Sequence, residues 1–205
     1  MTPPDALLDF LRSRRSVRRF RPDPVSRDTL TRLVEVACWA PSAGNRQDWF
    51  FTVVTSAQLK AQMSEAVRRC WQNIAEANRD SGLSGDLAQY TASFDAFVSA
   101  PVVIAVSARV PSVVQTRLLR ETATATSGSA ASAAMAAQNL MLAAHALGLA
   151  TCCLTGALAA RDELGRLLAL ERKRELVCLI ALGVAAETPP VPPRKGIADI
   201  ARFFE

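Results

Sequence analysis

Pro101-Val102-Val103-Ile104-Ala105-Val106 carries no polar side chain after its opening proline. A strand with one face in water alternates apolar and polar residues, because successive side chains point to opposite sides. This run does not alternate, so it reads as a strand buried on both faces. The stretch 175–184, Glu-Leu-Val-Cys-Leu-Ile-Ala-Leu-Gly-Val, reads in the same way. A sheet covered on both sides needs helices on both sides, and the flanking sequence supplies them. Ser26 is placed as an N-cap, and Leu30, Leu33, Val34, Ala37 and Cys38 follow at helical spacing. Pro41 stops that helix. Phe50 to Thr55 is a short aromatic and β-branched strand. Ser56 caps a long helix with Leu59, Met63, Ala66, Val67, Cys70 and Ile74 on one face.

Further helices are expected over 5–14, 86–98, 129–147 and 158–170, with a strand at 150–154. Gly148 closes the Ala-rich helix 129–147, whose small residues let another helix approach closely. Residues 187–205, opening on a Pro-rich run, are expected to be extended. Strands and helices do not alternate as regular βαβ units. The expected fold class is α+β, a three-layer α/β/α arrangement in one domain over 1–205.

Composition removes several function classes. The chain has 205 residues, 24 Lys+Arg against 19 Asp+Glu, and a net charge of +5. No apolar run approaches the ~20 residues of a membrane helix, and residues 2–11 lack the pattern of a signal peptide, so the cytoplasm is the expected compartment. Five cysteines without a CxxC pair argue against a disulfide framework or a zinc site. A single histidine, His145, leaves almost nothing for a His-based metal site or a Ser-His-Asp triad to work with. Cys152 and Cys153 are expected as small core residues on a buried strand. Trp49, Trp71 and Phe94 are expected as packing residues rather than a substrate cover.

Two constellations carry chemistry. In Arg14-Arg15-Ser16-Val17-Arg18-Arg19-Phe20, guanidinium forks and a hydroxyl can hold a phosphate. The same residues also suit a solvated basic turn or a nonspecific nucleic-acid patch. In Ala40-Pro41-Ser42-Ala43-Gly44-Asn45-Arg46-Gln47-Asp48-Trp49, Ser42, Asn45 and Gln47 offer hydrogen bonds of both kinds. Ala43 and Gly44 let a flat ligand approach the backbone. A plain polar turn remains the alternative reading.

In this order, Arg-x-Ser-x-Arg-x-Phe, a helix, and Ala-Pro-Ser-x-x-Asn-x-Gln-x-Trp resemble the opening of the FMN-dependent nitroreductase family. Asn139-Leu140-Met141-Leu142-Ala143-Ala144-His145-Ala146-Leu147-Gly148-Leu149 resembles a helix of that family, and Pro193-Arg194-Lys195 sits where members carry a basic phosphate ligand. The resemblance implies a mostly antiparallel central sheet, an interlocked homodimer and FMN in a groove between its subunits. It implies that Arg14, Arg15 and Ser16 are phosphate and ribityl ligands, and that Arg18 is the cation near the flavin pyrimidine edge. Pro41, Ser42, Ala43 and Asn45, with Gln47, would be laid against the flavin by the other subunit. Leu154, Thr155 and Gly156 would pass by the ring system, and Arg194 with Lys195 would complete the phosphate clamp. Flavin N5 would carry the chemistry, so no catalytic side chain and no metal is demanded.

The implied activity is NAD(P)H-dependent reduction of nitroaromatic, quinone or related electron-poor acceptors by a ping-pong mechanism, with NADH or NADPH as reductant. An FMN oxidase or dehydrogenase of an organic substrate, cyclic dipeptide-like or flavin-consuming, is the alternative. A nucleic-acid-binding module using the arginine cluster is the remote one. The family pattern is broken at Thr155, often glutamate, at Asp48, often proline, and in 90–98. These positions lie outside the phosphate half of the site.

Overall fold

A computed structural model describes residues 4–79, 94, 96–112, 117 and 128–204. Helix α1 covers Pro4–Ser13 and α2 covers Arg27–Ala37. The Ser26 side chain caps α2 by accepting from the Thr29 amide, as its place before an apolar stripe predicts. Strand β1 (Trp49–Val54) leads into α3 (Ala57–Ala77), where Ser56 caps the Leu59 amide in the same way. Then come β2 (Val102–Arg109), α4 (Gly128–Ala146), β3 (Ala150–Leu154), α5 (Arg161–Leu167) and β4 (Arg174–Gly183).

The four described strands form one antiparallel sheet in the order β1-β2-β4-β3. Its two faces bury separate clusters. Along β2, Val103 and Ala105 face one cluster with Met63 and Val67 of α3 and Leu164 of α5. Val102, Ile104, Val106 and Ala108 face the other, with Leu30 and Leu33 of α2 and Ala133, Ala136, Ala137 and Leu140 of α4. That is the three-layer arrangement the apolar runs imply: each strand residue, odd or even, finds a helix opposite it. The register shifts between Val106 and Ser107, whose partners on β4 are Cys178 and Leu176. The extra residue, Val177, breaks the alternation there, and Leu176 joins the same cluster as Leu179.

Small residues set the contact between α2 and α4. Ala37 of α2 and Ala133, Ala136 and Ala137 of α4 are all buried in it. Helix α4 ends at Gly148, whose φ of 73° belongs to the left-handed region. The Gly148 and Leu149 amides close the helix on the carbonyls of His145 and Ala144.

Three expectations need amendment. The helix expected over 158–170 is shorter and begins differently: Gly156–Ala160 is a 3-10 turn, and only Arg161–Leu167 is α-helical. Of the tail expected to be extended over 187–205, the described residues 187–204 are extended except for one turn, α6 (Ile197–Ile200), with the Gly196 amide held by Asp199. The helix expected over 86–98 lies largely outside the described residues, and its described end, Ala96–Ser99, is a 3-10 turn.

Candidate functional site

Residues 14–20 leave α1 and lie along the free edge of β3. The Val17 amide donates to the Thr151 carbonyl at 3.1 Å, and Ser16 pairs with Thr151 in parallel register. The segment then crosses to the end of β4, where the Arg21 amide bonds Val184 and Phe20 pairs with Ala185. Val17 and Phe20 are buried in the core. Those two anchors turn a run of arginines into a fixed shelf. Glu187 helps from the start of the tail: one carboxylate oxygen accepts from the amides of Arg18 and Arg19, at 2.7 and 3.1 Å.

The guanidinium groups on this shelf are held without being neutralised. Arg14 donates to the Arg15 carbonyl, and Arg15 donates to the carbonyls of Arg12 and Arg14. Among the described residues neither forms an ion pair with a carboxylate. Both fields reach His145 at the end of α4. Burial, then Arg14, then Arg15 push its proton affinity below the usual imidazole range. The ring stacks on Phe10 with centroids 4.8 Å apart. Its Nε2 lies 2.7 Å from the Ser13 hydroxyl, which itself donates to the Phe10 carbonyl, so the ring nitrogen is the donor. Two cations without counter-ions beside a hydroxyl, Ser16, fit the demands of a phosphate.

Residues 41–47 form the second element, at the entry to β1. Ser42 precedes a 3-10 turn over Ala43–Asn45, and its hydroxyl accepts from the Gln47 amide at 3.1 Å. The Ala43 amide donates to Ser132 on α4, and the Gln47 side chain donates to Asn45. Gly44, Asn45 and Gln47 all have positive φ, at 60°, 51° and 50°. Two non-glycine residues held in the left-handed region within three positions store backbone strain. Asp48, where the resemblance leads to proline, accepts from Arg46 and Ser129 and so pins the loop to the start of α4. Pro41, Ala43, Asn45 and Gln47 are exposed, and Ser42 is half-buried.

The third element follows β3. The Gly156 carbonyl accepts from Trp71 Nε1 at 3.0 Å, and the Trp71 ring packs on Phe94 at 5.0 Å. A Cβ on Gly156 would lie 2.4 Å from the Phe94 ring. Leu154 is buried, Thr155 exposed and Gly156 half-buried. Trp71 and Phe94, read from sequence as packing residues, therefore hold the backbone of this segment.

Cys152 is buried in the core as expected, but Cys153 is exposed. The correction follows from the strand: Cys152 points into the core, while Cys153 points to the opposite side, which covers Thr151 but not Cys153.

Arg194 and Lys195 are exposed, and no described hydrogen bond or ion pair joins them to residues 14–16. The shelf at 14–18 and the loop at 41–47 also stand apart within one chain. The first lies outside β3 and the second leads into β1, the two edges of the sheet. Three strand spacings, about 14 Å, separate those edges.

Similarity to known proteins accords with these elements. The model of the Nitroreductase family matches residues 11–184. The chain belongs to the nitroreductase family. Among solved structures of similar fold, a BluB-like flavoprotein from Clostridium difficile 630 superposes with a TM-score of 0.83 at 26% identity, covering 97% of this chain and 99% of that one. The FMN-dependent nitroreductase NfnB from Mycobacterium smegmatis, solved in complex with NADPH, gives a TM-score of 0.73 at 26% identity, covering 98% of this chain and 99% of that one. A 5,6-dimethylbenzimidazole synthase of Rhodobacter capsulatus is 39% identical over 85 residues, 42% of this chain and 39% of that protein. The chain spans about two fifths of the length of the first curated relatives it matches. The nitroreductase-family fold is thus shared with FMN- and NADPH-dependent relatives. Among the described residues no helix is long and apolar enough to cross a membrane, and no cluster of His, Cys, Asp and Glu has the makings of a metal site.

Sequence reasoning missed Ser132 and Glu187, which hold the loop and the shelf. Each acts through the backbone, and no local motif announces a side chain that bonds to a distant backbone atom.

Proposed function

We propose that this chain binds FMN noncovalently between two copies of itself and works as a cytoplasmic NAD(P)H-dependent oxidoreductase of nitroaromatic, quinone or related electron-poor acceptors. One observation carries the reading. The cationic shelf and the strained loop lie on opposite edges of one sheet, which supports a site that draws them from two copies. A two-fold axis then makes two equivalent sites.

Arg14, Arg15 and Ser16 bind the phosphate and ribityl chain, and Arg18 faces the pyrimidine edge. Pro41, Ser42, Ala43, Asn45 and Gln47 come from the other copy. Leu154, Thr155 and Gly156 pass by the ring system. Arg194 and Lys195, exposed in the single chain, close the phosphate clamp in the assembly. Exposed apolar side chains supply the contact surface: Leu7, Leu8 and Leu11 on α1, Trp39 at 87% exposure, and Phe203 and Phe204 on the tail. Bound FMN supplies the hydride and electron chemistry. The protein orients it, and Arg18 stabilises negative charge at the pyrimidine edge. Reductant and acceptor use the same place in turn, so no separate dinucleotide fold is needed.

A second reading, an oxidase or synthase acting on an organic substrate, draws support from the dimethylbenzimidazole synthase and the BluB-like flavoprotein among the similar proteins. Rapid mixing with NADH separates the two. Prompt loss of flavin colour supports the reductase, and persistent colour favours the second reading.

The purified protein should be yellow and dimeric, and should release FMN on acid precipitation. Arg14→Ala or Ser16→Ala should weaken FMN binding roughly 10- to 100-fold, the loss of one charge-assisted contact of about 1.5–3 kcal/mol. A colourless monomer, or variants that hold FMN as tightly as the parent, would overturn the assignment.

A further inference from the structure

Cys153 and Cys178 form a thiol pair in which one member is open to solvent and the other is not. On the ladder between β3 and β4, Cys153 lies opposite Ile180. Cys178 sits two residues from Ile180 on the same strand, and so on the same face as a diagonal neighbour of Cys153. Cys178 is 3% exposed in the core, whereas Cys153 is exposed on the edge strand. The Ser16 and Thr151 pairing brings the arginine shelf along this same edge. Cys153 also immediately precedes Leu154, Thr155 and Gly156.

We infer that Cys153 is a thiol-disulfide exchange site on the floor of the flavin site, with Cys178 as its buried neighbour, and that a mixed disulfide there and bound FMN exclude one another. The inference rests on the flavin site proposed above. The proton of Cys153 passes to solvent, and its thiolate attacks one sulfur of a low-molecular-weight disulfide. A new sulfur–sulfur bond forms, the old one breaks, and the second half leaves as a thiolate that takes up a proton. Cys153 is oxidised and the departing half is reduced.

The electrostatics support the direction of attack. The hydrogen bond from Cys178 lowers the Cys153 thiol to about 7; burial opposes this and the Arg14 guanidinium assists it. Cys178 is pushed well above the usual thiol range by the same hydrogen bond and by burial, so it keeps its proton and donates. The nucleophile is thus the accessible sulfur. A bridge between the two cysteines is disfavoured: diagonal neighbours stand about 7–8 Å apart, beyond the usual disulfide span.

The test uses dithionitrobenzoate and glutathione disulfide on FMN-free and FMN-loaded full-length protein, with peptide mass spectrometry to place the adduct. Without FMN, Cys153 should react at neutral pH about tenfold or more faster than Cys38, an exposed thiol with no such donor. Cys178→Ala should move the midpoint of its rate against pH upward. FMN should suppress the reaction about tenfold or more, and the glutathione adduct should reduce FMN uptake to the same extent. Equal rates at Cys153 and Cys38, or a midpoint unmoved by Cys178→Ala, would overturn the nucleophile assignment whether or not FMN binds. A yellow protein whose Cys153 reacts undiminished would overturn the exclusion while leaving the flavin reading intact. A protein that takes up no FMN even without modification would overturn the flavin reading and the exclusion with it. Cys153→Ser should abolish the adduct and keep the fold, read by circular dichroism.

Discussion

Gly156→Ala isolates the wall that holds the segment after β3. A Cβ built on Gly156 meets Phe94 Cδ1 and Cε1 at 2.4 Å and Cζ at 2.6 Å, where ordinary contact begins near 3.4 Å. The ring or the backbone must therefore yield by about 1 Å, a shift that a close-packed site resists. If the ring moves, it strains its 5.0 Å contact with Trp71; if the backbone moves, it strains the 3.0 Å bond from Trp71 Nε1 to the Gly156 carbonyl. Overpacking of this kind costs about 1–3 kcal/mol and a lost aromatic contact about 0.5–1.5 kcal/mol, so the sum is about 1.5–4.5 kcal/mol. Urea denaturation measures it, with Gly165→Ala as control: nothing stands within 4 Å of a Cβ there, and the residue lies inside α5. Alanine at 165 should be neutral or stabilising by up to about 1 kcal/mol. Adding Phe94→Ala to Gly156→Ala should recover much of the loss, so the pair should couple by at least about 1 kcal/mol. Strictly additive costs, or Gly156→Ala within about 0.5 kcal/mol of the parent, would refute the clash.

Other perturbations read different parts of the molecule. His145 is lowered by burial, then by Arg14 and Arg15, from its ordinary value of 6.5. The unfolded chain therefore binds more protons just below pH 6.5, and stability should fall as pH drops through 6.5 toward the native value. Melting temperatures of the FMN-free protein from acid to neutral pH should show this, and His145→Gln should flatten the profile. Lys60 is 7% exposed and donates to the carbonyls of Ala100 and Pro101. Lys60→Met should cost about 1–3 kcal/mol in urea denaturation, because it leaves buried acceptors without a donor. Gln47→Gly should hold or raise stability by up to about 1 kcal/mol, since glycine accepts a φ of 50° without strain. The same variant should weaken FMN binding, read by fluorescence titration; unchanged affinity would remove Gln47 from the site.

Much of the architecture was legible before any coordinates. The apolar runs at 101–106 and 175–184 required helices on both sheet faces, and α2, α4, α3 and α5 supply them. Ser26 and Ser56 marked helix starts because an N-cap is a local bond between a hydroxyl and an amide three residues on. The break at Gly156–Ala160 was not legible. There the backbone answers to Trp71, 85 residues away, rather than to its own periodicity.

The site divides in the same way. Residue type and spacing alone marked a basic cluster at 14–18, suited to a phosphate or to a solvated turn, and a polar loop at 41–47, because charge and hydrogen-bonding capacity are properties of the side chains themselves. Strand order, with those two elements on opposite edges, came only from tertiary structure. So did the exposure of Cys153 beside a buried Cys178, since adjacent cysteines in a strand look alike until the sheet decides which face is covered. Local bonds are written in neighbouring residues, whereas edges, faces and long-range carbonyl partners exist only once distant segments have packed.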